Sequence, residues 1–428
     1  MNKYFSLISI SFILSGCQIL TSDNSVSTNL TEAPATPQTT TASEPSADFT
    51  TDTLISLLTA EIAGQRDRFD IASEHYSQQA QITGDPGVAE RSLHIAEYMG
   101  DKQRALDSAL IWADAAPDNL EAQRSAAIQL AQAKRYEEAM QRMETVLLAN
   151  GDTQFDFLAL SAVRSDRKTR QALLQSFDRL ISKQPHNQQL IFSKAILLSQ
   201  DERSEEALQL LEAQPKKTAA PAITLLRARL LSRLNRGEEA LPLLRNALKN
   251  QPNDNRLRMA YARQLIDLNQ LEEARAEFIE LLQQSPNDDE LRFSLALINM
   301  DLEAWLEAQV YLEDLISRGS YTDAAYYNLG RVFQELDEIE QALSAYNAVQ
   351  PGQKYLAAQQ RTSTLLLENQ RLSDNTVHFE MQRMINTDLA IQLYLIETES
   401  LATHDQVETA WLRISQALKH YPDDPSLL

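Results

Sequence analysis

The chain has 428 residues, with 39 Lys+Arg against 60 Asp+Glu, a formal net charge of -21, 43% hydrophobic residues and 23% charged ones. That balance suits a folded chain and argues against nucleic acid or an anionic membrane surface as the partner of its charges. Only 10 residues are Gly and one is Cys, against a usual Gly share of ~7%; this disfavours phosphate-cradling loops and excludes an intrachain disulfide or a thiolate metal site.

The chain opens with Met1-Asn2-Lys3, then an apolar run from Tyr4 to Leu14 broken only by serines. The run fits a signal-peptide core and falls short of the ~20 residues of a membrane span. It ends in Leu14-Ser15-Gly16-Cys17, which resembles the bacterial lipobox. The resemblance implies that Cys17 becomes the first mature residue and carries a diacylglycerol thioether and an N-acyl chain. A secretory signal that happens to hold a cysteine is the alternative. Several acyl chains anchor a protein firmly where one does not. Gln18 stands where Asp would favour inner-membrane retention, so the expected location is the periplasmic face of the outer membrane. Residues 1–17 are therefore read as signal and lipobox. Residues 18–50, in which 16 of 33 are Ser, Thr or Pro and none is Lys or Arg, are read as a disordered tether.

From residue 51 to 428 the sequence is periodic. Tyr326-Tyr327-Asn328-Leu329-Gly330 is followed by Ala342 and Tyr346: a small residue, Ala twelve later, and a large residue four after that. Ala262, Ala274 and Phe278 repeat the pattern, as do Ala228, Ala240 and Leu244, and Ala296, Ala308 and Leu312. Ala195, Ala207 and Leu211 follow it, as do Ala127, Ala139 and Met143. The second alanines run Ala72, Ala105, Ala139, Ala172, Ala207, Ala240, Ala274, Ala308 and Ala342, then Thr376 and Ala410, spaced close to 34. This is the tetratricopeptide pattern. The predicted fold is all-α: a right-handed superhelical α-solenoid of about eleven helix-turn-helix units, the tenth degenerate. Small residues let the two helices of a unit approach closely, and Pro117, Pro185, Pro252, Pro286 and Pro422 end units, with Asn or Asp after them to cap the next helix. Gly64, Gly100 and Gly237 are expected in turns inside units, Gly84, Gly151, Gly319 and Gly352 between them.

No enzyme motif emerges: no Walker loop, HExxH, Gly-x-Ser-x-Gly, EF-hand loop or Gly-x-Gly-x-x-Gly. Ser165-Asp166-Arg167-Lys168 matches Ser-x-x-Lys without its companions and reads as a turn. His75, His94, His186, His378, His404 and His420 never pair at metal-ligand spacing and read as surface or seam residues. Glu137-Glu138, Glu205-Glu206, Glu238-Glu239 and Glu272-Glu273 recur where second helices start, where carboxylates meet the helix dipole. Trp112, Trp305 and Trp411 read as packing between helices. The expectation is a non-enzyme with no cofactor, no metal and no small-molecule substrate.

The first-helix face is the candidate partner-binding groove. Tetratricopeptide arrays bind at offsets -6, -3, +1, +4 and +5 from the small residue. Those offsets select Arg124, Arg164, Arg229, Arg233, Arg256, Arg263 and Arg331, and Phe157, Phe192, Phe293 and Tyr327. Arginine and aromatics are the residue types of binding hot spots, and guanidinium groups grip carboxylates in pairs of hydrogen bonds. The competing reading is internal pairing with Asp267 or Glu335.

A lipobox, a Ser/Thr tether and about eleven units resemble outer-membrane lipoproteins of the LbcA type, adaptors of periplasmic carboxy-terminal processing proteases. Ala60-Glu61-Ile62-Ala63-Gly64-Gln65-Arg66 with Phe69, Ala72 and Tyr76, and Ala115-Ala116-Pro117-Asp118-Asn119-Leu120-Glu121-Ala122-Gln123, carry the closer likeness. What the resemblance implies is a scaffold that holds a periplasmic serine protease and its client proteins, commonly peptidoglycan hydrolases, together. The alternative is a lipoprotein assisting assembly of an envelope machine, β-barrel insertion or a pilus secretin. The chain stops at Pro422-Asp423-Asp424-Pro425-Ser426-Leu427-Leu428, where a further first helix is expected.

Overall fold

The computed structural model describes residues 49–213 and 220–427. Cys17, the signal segment and the tether up to residue 48 lie outside the described residues. Among the described residues there are 22 α-helices, one short 3-10 turn and no strand. The helices pair into eleven consecutive units.

Unit 1 is α1 (Thr51–Gln65) and α2 (Phe69–Thr83), unit 2 α3 (Pro86–Met99) and α4 (Lys102–Ala115), unit 3 α5 (Leu120–Gln132) and α6 (Tyr136–Leu148). Unit 4 is α7 (Phe155–Ala162) and α8 (Arg167–Lys183), unit 5 α9 (Gln188–Gln200) and α10 (Ser204–Glu212), unit 6 α11 (Pro221–Arg233) and α12 (Gly237–Asn250). Unit 7 is α13 (Asn255–Asp267) and α14 (Leu271–Gln284), unit 8 α15 (Asp289–Asp301) and α16 (Trp305–Ser317), unit 9 α17 (Thr322–Glu335) and α18 (Ile339–Asn347). Unit 10 is α19 (Tyr355–Glu368) and α20 (Leu372–Ile385), and unit 11 is α21 (Ala390–Thr403) and α22 (Val407–His420). Consecutive helices pack on one another along the array, with α7 and α8 the exception. That is the arrangement of stacked helical hairpins, each of which lacks the apolar surface to fold alone.

The second-helix alanines are where close approach needs them. Ala72, Ala139, Ala207, Ala240, Ala274, Ala308 and Ala342 are all fully buried. Caps recur with the same regularity. Asn119, Asn187, Asp254 and Asp288, each two residues after a proline, accept hydrogen bonds from the first backbone N–H groups of α5, α9, α13 and α15. Inside units, the turn holds one residue in the left-handed region: Asp67, Gly100, Lys134, Glu202, Asn235, Asn269, Glu303, Asp337, Gln370 and Asp405. Only one of the ten is glycine. Gly64 and Gly237, expected in such turns, instead lie in the last turn of α1 and the first of α12, because Asp67 and Asn235 take the left-handed position.

Two units break the alanine register. In unit 4 Ala172 is half-exposed and Leu173 is buried instead. Leu173 lies 34 residues from both Ala139 and Ala207, so the structural period is regular where the alanine count is not. Leu173 stands where the other units have a small residue, and α7 and α8 do not pack closely on each other. α7 packs against α9, α8 against α6 and α9, and Phe155 and Phe177 meet edge-to-face at 5.8 Å. Unit 4 is also the unit whose internal turn has no left-handed residue. In unit 10 the buried residue is Asn375, not Thr376. Ser363, Asn375 and Phe379 keep the +12 and +4 spacing, all fully buried, with Ser363 Oγ donating to Asn375 Oδ1 at 2.8 Å. The tenth unit is complete but built on a polar pair. Trp112 is buried and Trp305 packs against the core, whereas Trp411 is 68% exposed and does not pack between helices.

Candidate partner-binding face

The water-facing side of the first helices forms as a by-product of packing. In units 6, 7 and 9 the first helix packs on its own second helix and buries its small residue, and the next residue is left on the outer side. Arg229, Arg263 and Arg331 each follow such a residue, buried Ala228, Ala262 and Gly330. α11 and α13 pack side by side, which brings Arg229 and Arg263 onto neighbouring rungs.

The arginines divide by what they touch. Arg124 pairs with Glu121 and, at 3.5 Å, with Asp152. Arg256 pairs with the capping carboxylate of Asp254 at 3.1 Å. Arg124 is held by Glu121 at the start of its own helix and by Asp152 from beyond α6, and Arg256 by the cap of its own helix, which removes both as free anion receptors. Arg233 donates to the carbonyl oxygen and hydroxyl of Ser199 at 2.8 and 2.9 Å, strapping unit 6 to the end of α9. Burial pushes its pKa down, and the neighbouring Arg229 charge adds to this. Arg331 donates to Asn328 Oδ1 at 3.1 Å. Arg164 is not on a first helix: α7 ends at Ala162 and Arg164 lies exposed in the turn. Arg229 and Arg263 are exposed and make no ion pair among the described residues.

Acids line the same face one helical turn on. Asp267 and Asp301 are water-exposed, yet the surrounding protein raises both carboxyl pKa values by desolvation, opposed by Arg263 and Arg331 respectively. Neither Asp267 nor Glu335 comes within ion-pair distance of Arg263 or Arg331, so the anticipated internal pairing does not form there.

The aromatics are half-buried. Phe157 and Phe293 rest on the core, and Phe192 is intermediate in exposure. Phe293 stacks on Tyr321 at 5.1 Å with 11° between the rings. Tyr327 lies 6.0 Å from Tyr346 and carries the Lys354 ammonium 5.4 Å from its ring centre. Tyr321 and Lys354 thus join the face. Sequence offsets missed them because both lie between units, Tyr321 with a left-handed backbone just before α17 and Lys354 just before α19.

The remaining sequence motifs are structural. Ser165 Oγ donates to the Ala162 carbonyl at 2.7 Å, and Asp166 caps α8, so Ser165–Lys168 is a helix junction. Arg135, Arg203 and Arg236 stand immediately before α6, α10 and α12 and bind Glu138, Glu206 and Glu239. These side-chain hydrogen bonds hold the three carboxyls below the ordinary glutamate range. No helix among the described residues is long and apolar enough to cross a membrane.

Stacked hairpins with this register define a tetratricopeptide-repeat solenoid, a class that presents an extended face for recognition. The chain belongs to the tetratricopeptide-repeat family. The family's repeat model matches residues 233–298. Over all 428 residues the chain is 56% identical to the TPR repeat-containing protein PA4667 of Pseudomonas aeruginosa, covering 100% of this chain and 72% of that protein. Among solved structures, yeast Tom70 aligns over 86% of this chain and 92% of its own, at 12% identity and a TM-score of 0.33. Human IFIT1 aligns over 87% and 91%, at 16% identity and a TM-score of 0.37.

Proposed function

We propose that this protein is a periplasmic scaffold, anchored in the outer membrane through lipid on Cys17, that holds protein partners on its first-helix face. In this reading it delivers clients such as peptidoglycan hydrolases to a carboxy-terminal processing protease. The observation that carries the reading is the pair Arg229 and Arg263: exposed cations on adjacent rungs that make no ion pair among the described residues, in a chain of net charge -21. Cations left unpaired in an acidic molecule serve recognition of carboxylate-bearing polypeptide better than they serve stability. The half-buried aromatics alongside supply the apolar part of the contact. The gain from a scaffold is effective concentration: with protease and client on one array, their encounter becomes intramolecular.

The experiment is reconstitution. Client cleavage by the protease is followed with and without the full chain, and with Arg229→Glu/Arg263→Glu. Faster cleavage with the wild type and loss of the gain in the double variant are expected. Unchanged cleavage in all three arms overturns the adaptor role.

A further inference from the structure

We propose that the outward face of α1 is a self-association surface, occupied by α1 of a second copy of this chain in antiparallel register. The helix packs on α2, with Thr53, Ala60 and Ala63 buried. On its other side Leu54, Ile55, Leu58 and Ile62 are 47%, 58%, 62% and 49% exposed. Ile55, Leu58, Ile62 and Gln65 follow one another at 3, 4 and 3 residues, the a and d spacing of a helix-pairing seam. Singly scattered apolar residues need no explanation, but a row along one helix face does.

The charges select the occupant. The helix contains no Lys or Arg. Flanking the seam are Asp52, Thr59 and, just past the helix end, Arg66, seven residues apart and on one side. Asp52 and Arg66 are exposed, and among the described residues neither makes an ion pair; the pairs nearby are Arg68–Asp70 and Arg91–Glu61. Antiparallel pairing about a two-fold axis sets this flank against the same flank of the copy. The midpoint of Asp52 and Arg66 is Thr59, and that of Ile55 and Ile62 falls between Leu58 and Thr59. A two-fold axis beside Leu58 and Thr59 therefore brings Ile55 near the copy's Ile62, Leu58 near its counterpart, and Asp52 near the copy's Arg66, twice, each pair within one residue, about 1.5 Å of rise, of a common register. A parallel pair instead strands Asp52 and calls on Glu61, which Tyr76 and Arg91 already engage. A different protein has no reason to mirror this self-matching spacing. A 15-residue helix is about 22 Å long, so the contact is smaller than a standard interface and the association weak.

Sedimentation of the full chain over a concentration range tests this. A monomer–dimer equilibrium is expected, weakened on the order of tenfold by Leu58→Glu. Asp52→Arg also weakens it, and adding Arg66→Asp to Asp52→Arg restores it. Thermal melts followed by circular dichroism, unchanged in each variant, separate lost pairing from lost folding. If Leu58→Glu does not fold, Leu58→Cys with Cys17→Ser decides: oxidation by air is expected to give a disulfide-linked dimer through Cys at position 58. A chain that is monomeric throughout, a dimer indifferent to Leu58→Glu, no restoration by the charge swap, or no crosslink at position 58 overturns the proposal.

Discussion

Gly330 of α17 and the ring of Tyr346 of α18 leave no room between them: a Cβ on Gly330 would stand 2.5 Å from Cε1 and 2.6 Å from Cδ1 of Tyr346. Tyr346 is fully buried and its hydroxyl donates to Gln334 Oε1 at 2.8 Å, so the ring cannot swing aside. Gly330→Ala is expected to destabilise the fold by about 1–3 kcal/mol through overpacking, although alanine favours helix elsewhere. Gly330→Ala with Tyr346→Leu recovers part of that loss. Urea unfolding of the three proteins checks it.

Unit 4 gives a test of the register itself. Because Leu173 is buried and Ala172 is not, Leu173→Ala is expected to cost about 2–5 kcal/mol, whereas enlarging Ala172 to Leu is near neutral. The same enlargement at Ala139 costs about 1–3 kcal/mol. Chemical unfolding midpoints of Ala172→Leu and Ala139→Leu, measured side by side, decide whether the structural or the alanine register is right.

Much of the fold was readable from residue size. Ala274 and Ala308 mark units because no larger side chain permits that helix approach. Unit 4 is not legible in this way because Ala172 lies next to the residue that faces the seam, and composition cannot say which of two neighbours points inward. Unit 10 escapes the alanine pattern because Asn375 and Ser363 replace alanine contact by a hydrogen bond. The left-handed turn residues are not legible in the sequence because Glu202 or Lys134 carries no side-chain signal for positive φ; the backbone imposes it where the helix ends in a 6→1 hydrogen bond, Arg135 N–H donating to the Leu130 carbonyl and Arg203 N–H to that of Leu198. On the face, the offsets select Arg229 and Arg263, which are exposed, and equally Arg124, and nothing in the sequence distinguishes them from Arg124, one of whose acids, Asp152, comes from beyond the following helix.

Acid should loosen unit 10. His378 Nε2 lies 2.6 Å from Gln359 Oε1 inside the seam, and burial lowers the imidazole pKa to about 4. The unfolded ring titrates near 6.5, so the unfolded state binds the proton first. The stability that His378 supports is present above about pH 6.5 and lost as pH falls toward about 4. The wild type is expected to lose on the order of 2 kcal/mol more than His378→Gln over that window. Denaturant midpoints at several pH values check it.

Glu397, fully buried, sits between Arg383 at 2.5 Å and Arg413 at 3.2 Å, tying α20, α21 and α22 together. Desolvation raises its carboxyl pKa while both arginines pull the other way. Removing the acid leaves two cations facing each other in the interior. Glu397→Leu alone is expected to cost about 3–5 kcal/mol, and Glu397→Leu with Arg383→Met and Arg413→Met markedly less. Thermal denaturation of both variants distinguishes a needed ion cluster from a needed volume.

The claim on which the functional account turns is that the Arg229–Arg263 face grips polypeptide. The direct measurement is photocrosslinking in native envelopes from a probe at position 263, compared with one at exposed Glu273 on the neighbouring second helix. The account predicts that position 263 captures a discrete set of proteins, including a serine protease or its clients, that competes with an acidic peptide, and that position 273 does not. Equal, unselective capture from both positions contradicts it.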